Sequence, residues 1–237
     1  MELYLRPVGE PIRHWPGQYV TLGDARAGIP ARAYSIATAP RPDGELVLQV
    51  ARAQGGLTST WVHDRLAIGD RVGLSGAYGS FIGDPGLDTP VLCLAAGTGL
   101  APILALTEAA LQRGFRQPVT LLCFARSRAG VYGQGLMAWW RARYPGFDHA
   151  ISLTRESADG YLAGRVGAVL PGLLPDFSRH SVFAAGSPAF VDACVAVARA
   201  LGAQAGRIHI ESFFAHQPAA PLDAGHRSAT SPTQRPG

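Results

Sequence analysis

Two kinds of apolar pattern divide the chain. Up to about residue 80, apolar residues come in short alternating or continuous runs at 3–6, 18–22, 33–38, 46–52 and 71–75, separated by clusters of Gly, Pro and Asp. Runs of this length between turn residues predict strands, and their spacing predicts a small antiparallel β-barrel. One helix is expected over 59–66, with Ser59 as its N-cap and Gly69-Asp70 turning the chain after it. From Pro90 the pattern changes. Continuous apolar strands are expected at 91–95, 119–124, 150–154, 182–185 and 207–211, and helices at 102–113, 136–144 and 188–201. Strands that alternate with helices imply a parallel sheet with right-handed crossovers. The change falls in the Gly/Pro/Asp-rich stretch 81–89, FIGDPGLDT. Two domains follow, 1–85 and 86–216. Residues 217–237 are small, polar and aperiodic, which predicts a disordered tail.

Composition narrows the chemistry. The chain has 237 residues, 47% of them hydrophobic and 16% charged, so it can bury a sizeable core and is not disordered throughout. All 21 basic residues are arginine. Without lysine there is no Schiff-base chemistry, and a bound phosphate must be held by arginine, hydroxyls or backbone N–H groups. A net charge of +4 with no basic run excludes a nucleic-acid signature. Cys93, Cys123 and Cys194 are dispersed in apolar surroundings, which fits neither a disulfide framework nor a metal site. His14, His63 and His149 have no companions at metal-ligand spacing. There is no export signal or membrane-length apolar run. The expectation is a reduced, cytoplasmic protein without a metal site.

The sharpest local signal is VLCLAAGTGLAP, residues 91–102, a buried strand running into a glycine-rich turn and a helix. Gly97 and Gly99 permit positive φ and let a pyrophosphate approach the backbone. Thr98 lies between them, the helix start offers free N–H groups to an anion, and Pro102 suits a first helical turn. Alone, GxGxxP is a weak motif that a plain strand–helix turn also satisfies.

Five motifs precede or form this turn in order: Gly17-Gln18-Tyr19-Val20, Arg32-Ala33-Tyr34-Ser35, Gly56-Leu57-Thr58-Ser59, Gly76-Ala77-Tyr78-Gly79-Ser80-Phe81 and GTGLAP. Over about residues 3–214 the chain resembles the ferredoxin–NADP reductase superfamily, most of all the reductase components of bacterial multicomponent oxygenases. The resemblance implies a flavoprotein that passes electrons from NAD(P)H through FAD to a separate acceptor, such as a ferredoxin or oxygenase component. It implies that Arg32 and Gly56, Leu57, Thr58 and Ser59 hold the FAD pyrophosphate, that Tyr34 lies on the isoalloxazine, that Ser35 reaches flavin N5, and that Val50 and Arg52 line the adenine end. Ala185-Gly186-Ser187-Pro188 resembles the family's CGxP segment beside the nicotinamide, with Ala185 where many members have cysteine. Gly186, Ser187 and Pro188 are therefore cofactor-binding candidates. In the C-terminal IHIESFF, Phe213 (failing it, Phe214) is the expected cap on the flavin face and Glu211 a possible proton relay. A free-flavin reductase and a non-catalytic electron-transfer or regulatory subunit remain open.

The nicotinamide donor is expected to be read at Arg126, Ser127 and Arg128. Between residues 109 and 147 there are six arginines and no acid, which favours the 2′-phosphate of NADPH over NADH without excluding NADH. Three dispersed cysteines cannot ligate the plant-type [2Fe–2S] cluster that many relatives carry, so no iron–sulfur cluster is expected in this chain. Residues 1–6 resemble the barrel's second strand. The usual first strand is expected to be missing, through a fragment, a downstream start or an open barrel.

Overall fold

The structure, a computed structural model, describes residues 1–84 and 86–213. The proposed tail at 217–237 and Phe214 lie outside the described residues. Five strands make up the first half: β1 (Glu2–Leu5), β2 (Tyr19–Asp24), β3 (Ile29–Ser35), β4 (Leu46–Gln49) and β5 (Gly73–Tyr78). They form two antiparallel sheets, β3-β2-β5 and β1-β4, the antiparallel half expected, with its barrel open between the two sheets. The sheets are hydrogen-bonded to each other where the chain leaves β3, through an Ile36–Leu48 bridge and a bond from the Ala37 N–H to the Val47 carbonyl. The stretch between β1 and β2 contains Pro7, Pro11 and Pro16, which cannot donate to a ladder. Register shifts on both sides of β2 bend its sheet further. Between the sheets lie Val20, Leu22, Ile36, Leu46, Leu48 and Val50, sealed by Val62 of α1 (Leu57–Asp64).

Helix α1 starts two residues before its predicted start, and Ser59 is not its N-cap. Gly55, at φ +70°, turns the chain, and Gly56 takes the cap position in extended backbone. Ser59 is then the third helical residue, and its hydroxyl donates back to the Gly56 carbonyl at 3.0 Å.

The second half is one parallel six-stranded sheet of order β11-β10-β6-β7-β8-β9. Its strands are β6 (Val91–Ala96), β7 (Val119–Ala125), β8 (Phe147–Leu153), β9 (Leu162–Ala163), β10 (Ser181–Gly186) and β11 (Ile208–Ser212). The helices are α2 (Leu100–Gln112), α3 (Gln134–Arg143), α4 (Val166–Leu173) and α5 (Pro188–Ala200). Alternation along the strands divides them between two cores. Cys93, Ala95, Leu121 and Phe183 face Leu100, Ile103, Leu104, Met137 and Trp140 of α2 and α3. Leu92, Leu94, Leu122 and Val182 face Val166, Leu170, Cys194 and Ala198 of α4 and α5. Burial on both faces explains why β6 and β7 read as unbroken apolar runs. β9 and α4 are absent from the sequence reading. The first has two residues, and the second carries Gly167, Pro171 and Gly172, which obscure a helical period. Among the described residues no helix is long and apolar enough to cross a membrane.

Candidate functional site

The strand order reverses at β6. The chain proceeds from β6 outward to β9, then returns to place β10 on β6's other side. In such sheets the crevice at the carboxyl ends of the two diverging strands is where ligands bind. The turn after β6, a single 3₁₀ turn over Gly97–Gly99, and the Ser187 turn after β10 flank this crevice. Gly97 has φ +55°, and an added Cβ there would meet nothing within 4 Å, so the backbone is open to a ligand. Gly99 does not have positive φ, contrary to expectation: it lies at φ −60°. Its missing side chain instead admits the Ala185 carbonyl, whose oxygen would lie 2.1 Å from a Cβ. Pro102 is the third residue of α2, where no N–H is required. At the starts of α1, α2 and α5 no side chain caps the free N–H groups and no acid lies in the first turn. Three helix ends are thus left receptive to anions. At α5 Ser187 is the capping residue, and Pro188, which has no N–H to donate, is the first helical residue.

The first half contributes its own polar groups on β3 and α1. On β3, Arg32 and Tyr34 share a face and stand opposite Leu22 and Val20 of β2. Helix α1 packs against this strand, tied by the Thr58 hydroxyl donating to the Pro30 carbonyl at 2.5 Å. Arg32 donates to the Ala31 carbonyl at 2.8 Å and so lies along its own strand. Tyr34 is half-buried, and burial raises its phenol above the usual range. Ser35 is buried at the end of β3.

Three expectations need correction here. Thr58 and Ser59 do not offer free hydroxyl donors. The first is bound to Pro30, while the second donates to Gly56 and accepts the Ala53 N–H at 3.1 Å. What remains for an anion at this corner is the main chain of Gly56 to Ser59. Val50 cannot line an adenine pocket with its side chain, which is in the core at 1% exposure. Arg52 is held bidentate by Asp64 at 2.8 and 2.5 Å, so its guanidinium braces the end of α1.

The halves meet just beyond the end of β3. Ala37 and Val47 pack on Ala101 in the first turn of α2, and the Ala39 N–H donates to Glu108 Oε2 at 2.7 Å. Gly17 has φ +92°, and a Cβ there would lie 1.9 Å from the Phe81 carbonyl oxygen. Phe81 lies edge-on to Phe183 of β10, and His209 of β11 stacks on Phe183 at 4.5 Å. The chain leaving β3 is therefore fixed beside the glycine turn.

Phe213 is half-buried against the core that contains Ala185 and Leu100, and its N–H donates to the Gly186 carbonyl at 2.8 Å. This places it at the carboxyl end of β10, beside the crevice. Glu211, opposite Ala185, has its carboxyl raised by burial above the usual carboxylate range. Ala185 is fully buried.

Arg126, exposed, follows β7, and Ser127 precedes the 3₁₀ turn Arg128–Gly130. Arg128 does not stand open: Glu156 Oε2 accepts its main-chain N–H at 2.9 Å and Glu156 Oε1 accepts its Nε–H at 2.7 Å. The main-chain bond first, then the guanidinium, lowers the Glu156 carboxyl. The expected absence of an acid from this edge is thereby corrected. Sequence reasoning also missed Tyr132, whose hydroxyl donates to the Gly97 carbonyl at 2.5 Å and pins the glycine turn. Its spacing from the turn, 35 residues, carries no local signal. The three cysteines are buried, with thiols pushed up to about 12 by desolvation, so they are inert at neutral pH.

The groups present fit a flavin dinucleotide and a nicotinamide dinucleotide. Each half offers an uncapped helix start, with Arg32 and Tyr34 beside one and an unobstructed positive-φ glycine beside the other. Comparison with known proteins agrees. Residues 3–82 match the oxidoreductase FAD-binding domain and residues 93–196 the oxidoreductase NAD-binding domain. The chain is 30% identical over 208 residues to the ferredoxin–NAD(P)(+) reductase component of the naphthalene 1,2-dioxygenase/salicylate 5-hydroxylase systems of a Ralstonia species, covering 87% of this chain and 62% of that protein. It thus spans about three fifths of the length of such curated relatives. Among solved structures, a cytochrome P450 reductase from Amycolatopsis superposes with TM-score 0.83 at 33% identity, covering 90% of this chain and 64% of that one. The FAD/NAD-binding domain of a nitric oxide dioxygenase from Vibrio cholerae superposes with TM-score 0.81 at 26% identity, covering 90% and 91%. With a flavin-binding half followed by a nicotinamide-binding half in one chain, it belongs to the ferredoxin–NADP reductase family of flavin-dependent oxidoreductases.

Proposed function

We propose that the chain is a flavin-dependent NAD(P)H:acceptor oxidoreductase. It takes reducing equivalents from NAD(P)H and delivers them to a separate iron–sulfur protein or oxygenase component. The observation that carries this reading is the fixed contact between the halves, Ala37 and Val47 on Ala101 with the Ala39–Glu108 hydrogen bond. It holds the end of the Arg32-Ala33-Tyr34-Ser35 strand beside the crevice at β6 and β10, so rings bound on either side can meet. FAD, when bound, supplies the conversion of a two-electron hydride donor into one-electron steps. The protein supplies alignment and anion binding. Residues 1–85 form the FAD-binding unit, with Arg32 and the main chain of Gly56 to Ser59 on its pyrophosphate, Tyr34 against the ring and Ser35 beside its reactive edge. Residues 86–216 form the NAD(P)H unit, with Gly97, Thr98 and Gly99 and the starts of α2 and α5 on the second pyrophosphate. Phe213 covers the flavin face from the end of β11, and Glu211, half-buried on that strand, is placed to relay a proton. Reduced thiols and soluble oxygenase partners go with a cytoplasmic location.

The test is direct. The purified protein should stay yellow through dialysis, bleach anaerobically with NADH or NADPH, and recover colour when an oxidised [2Fe–2S] ferredoxin is added. Retained flavin that neither nucleotide bleaches would make the chain a non-catalytic subunit. Flavin that is reduced but lost on dialysis would make it a free-flavin reductase.

A further inference from the structure

The edge formed by the carboxyl ends of β7 and β8 carries a charge arrangement that the linear sequence hides. The parallel ladder continues beyond the strands: the Thr154 N–H donates to the Ala125 carbonyl at 2.9 Å and the Arg155 N–H to the Arg126 carbonyl at 3.0 Å. This extension carries Glu156 across to Arg128, where each carboxylate oxygen accepts one hydrogen bond. The end of the second strand in such a sheet is where a dinucleotide's adenosine ribose is recognised, by an acid on a 2′-hydroxyl or an arginine on a 2′-phosphate. In this chain the acid comes from the third strand, 28 residues after the arginine.

We propose that Glu156 is the residue that selects the 2′ position of the nicotinamide dinucleotide, and that it selects NADH. The inference rests on the dinucleotide reading above and deepens it. Each oxygen of an ionised carboxylate has acceptor capacity beyond one bond, so Glu156 can still receive a ribose hydroxyl while bound to Arg128. A 2′-phosphate at the same place would bring up to two negative charges against that carboxylate. It would also find the Arg128 charge already compensated and its Nε–H occupied. Arg126 has no side-chain partner among the described residues and is exposed, so NADPH is weakened and not abolished. The six arginines between residues 109 and 147 thus overstate the positive field at this edge, because the compensating acid lies outside that stretch.

The experiment is calorimetric titration of the full chain with ADP and with adenosine 2′,5′-bisphosphate, at low ionic strength because exposed charges are readily screened. It reads the site without any turnover. Wild type should bind ADP at least as tightly as the bisphosphate. Glu156→Gln, nearly isosteric, should tighten the bisphosphate about tenfold or more, the scale of one charge-assisted hydrogen bond gained, and leave ADP within roughly threefold. Glu156→Ala should shift in the same direction, and Glu156→Gln with Arg128→Ala should lose the gain. An unchanged ratio of the two affinities in both Glu156 variants overturns the inference and leaves the dinucleotide site standing. A wild type that prefers the bisphosphate tenfold overturns it as well. If wild type binds neither nucleotide, the dinucleotide reading itself is wrong and the inference goes with it.

Discussion

The two halves approach nucleotide binding with different materials. In the second half the groups proposed to hold the pyrophosphate are main chain: an open glycine turn, seated by a carbonyl packed against Gly99, and two uncapped helix starts. They sit on a sheet buried on both faces, so their positions follow from backbone packing. In the first half the sheets are short and half-exposed, and in the function proposed above recognition falls to the side chains Arg32 and Tyr34 beside one helix start. The two designs should fail differently. A backbone site breaks when an atom is added, and a side-chain site breaks when one is removed.

The largest expected effect therefore belongs to Gly99→Ala. Its Cβ would lie 2.1 Å from the Ala185 carbonyl oxygen and 2.7 Å from the Gly186 nitrogen, both backbone atoms. The turn and the end of β10 must separate, and ADP affinity should fall about 100-fold, the order of the 1–3 kcal/mol typical of overpacking. FAD retention should stay near wild type. Equal loss of FAD would show that the halves respond as one unit. Gly97→Ala sharpens the contrast. It meets no atom within 4 Å, so only its φ of +55° is strained, at a cost of about 1 kcal/mol.

Arg32→Ala tests the other design. It removes a charged donor without touching a backbone contact, and such a hydrogen bond is worth about 1.5–3 kcal/mol, so FAD affinity should fall roughly 10–150-fold. Fluorescence titration of the apoprotein with FAD measures this, and ADP binding should be unaffected. Wild-type FAD affinity in this variant would remove Arg32 from the site and leave the main chain of Gly56 to Ser59 as the anion holder, making the halves alike.

The same contrast governs what could be read from the sequence. The second half was legible because burial on both faces leaves unbroken apolar runs, and the glycine turn follows β6 without a gap. Contacts between distant segments were not legible. Glu156 reaches Arg128, Tyr132 reaches Gly97 and Glu108 reaches Ala39 across 28, 35 and 69 residues, and no local period encodes any of them. In the first half the motif order was legible but the work of individual hydroxyls was not. Ser59 reads as an N-cap because serine favours that position, yet Gly55 turns the chain early enough for Gly56 to take it. The antiparallel half was legible, and an open barrel was one of the expected alternatives, but strand spacing alone does not show where it opens, which is decided by β1 pairing, among the described residues, with β4 and not with β2, β3 or β5.

A smaller effect is expected at Tyr132, the one side chain among these contacts that supports the second half's turn. Tyr132→Phe deletes the bond to the Gly97 carbonyl and leaves the ring. The loss of about 0.5–1.5 kcal/mol of turn stability should appear as a roughly 2–10-fold weaker ADP affinity, with FAD binding unchanged. An unaltered ADP affinity would mean that backbone packing alone holds the turn, which makes the contrast between the halves sharper still.

The smallest effect concerns β11, the edge strand of the second half, where Glu211 and His209 should respond to pH in opposite directions. Burial raises the Glu211 carboxyl, so the folded chain holds this proton more tightly than the unfolded chain does. Its contribution is fully present below the unfolded value of about 4.3 and is lost as pH rises from there through the folded value. Burial, opposed by the Asp84 charge, lowers His209. Its contribution is present above the unfolded value of about 6.5 and is lost as pH falls through the folded value. Glu211→Gln removes only the first response. Relative to wild type, its urea midpoint should rise from pH 4 to pH 7, since over that interval the unfolded wild type gives up its Glu211 proton more readily than the folded chain does, and the variant has no such proton to lose. A midpoint difference that is the same at both pH values would mean that Glu211 ionises as freely in the folded chain as in the unfolded one. The end of β11 would then be open to water, and Phe213, the residue after the strand, would not shield the crevice.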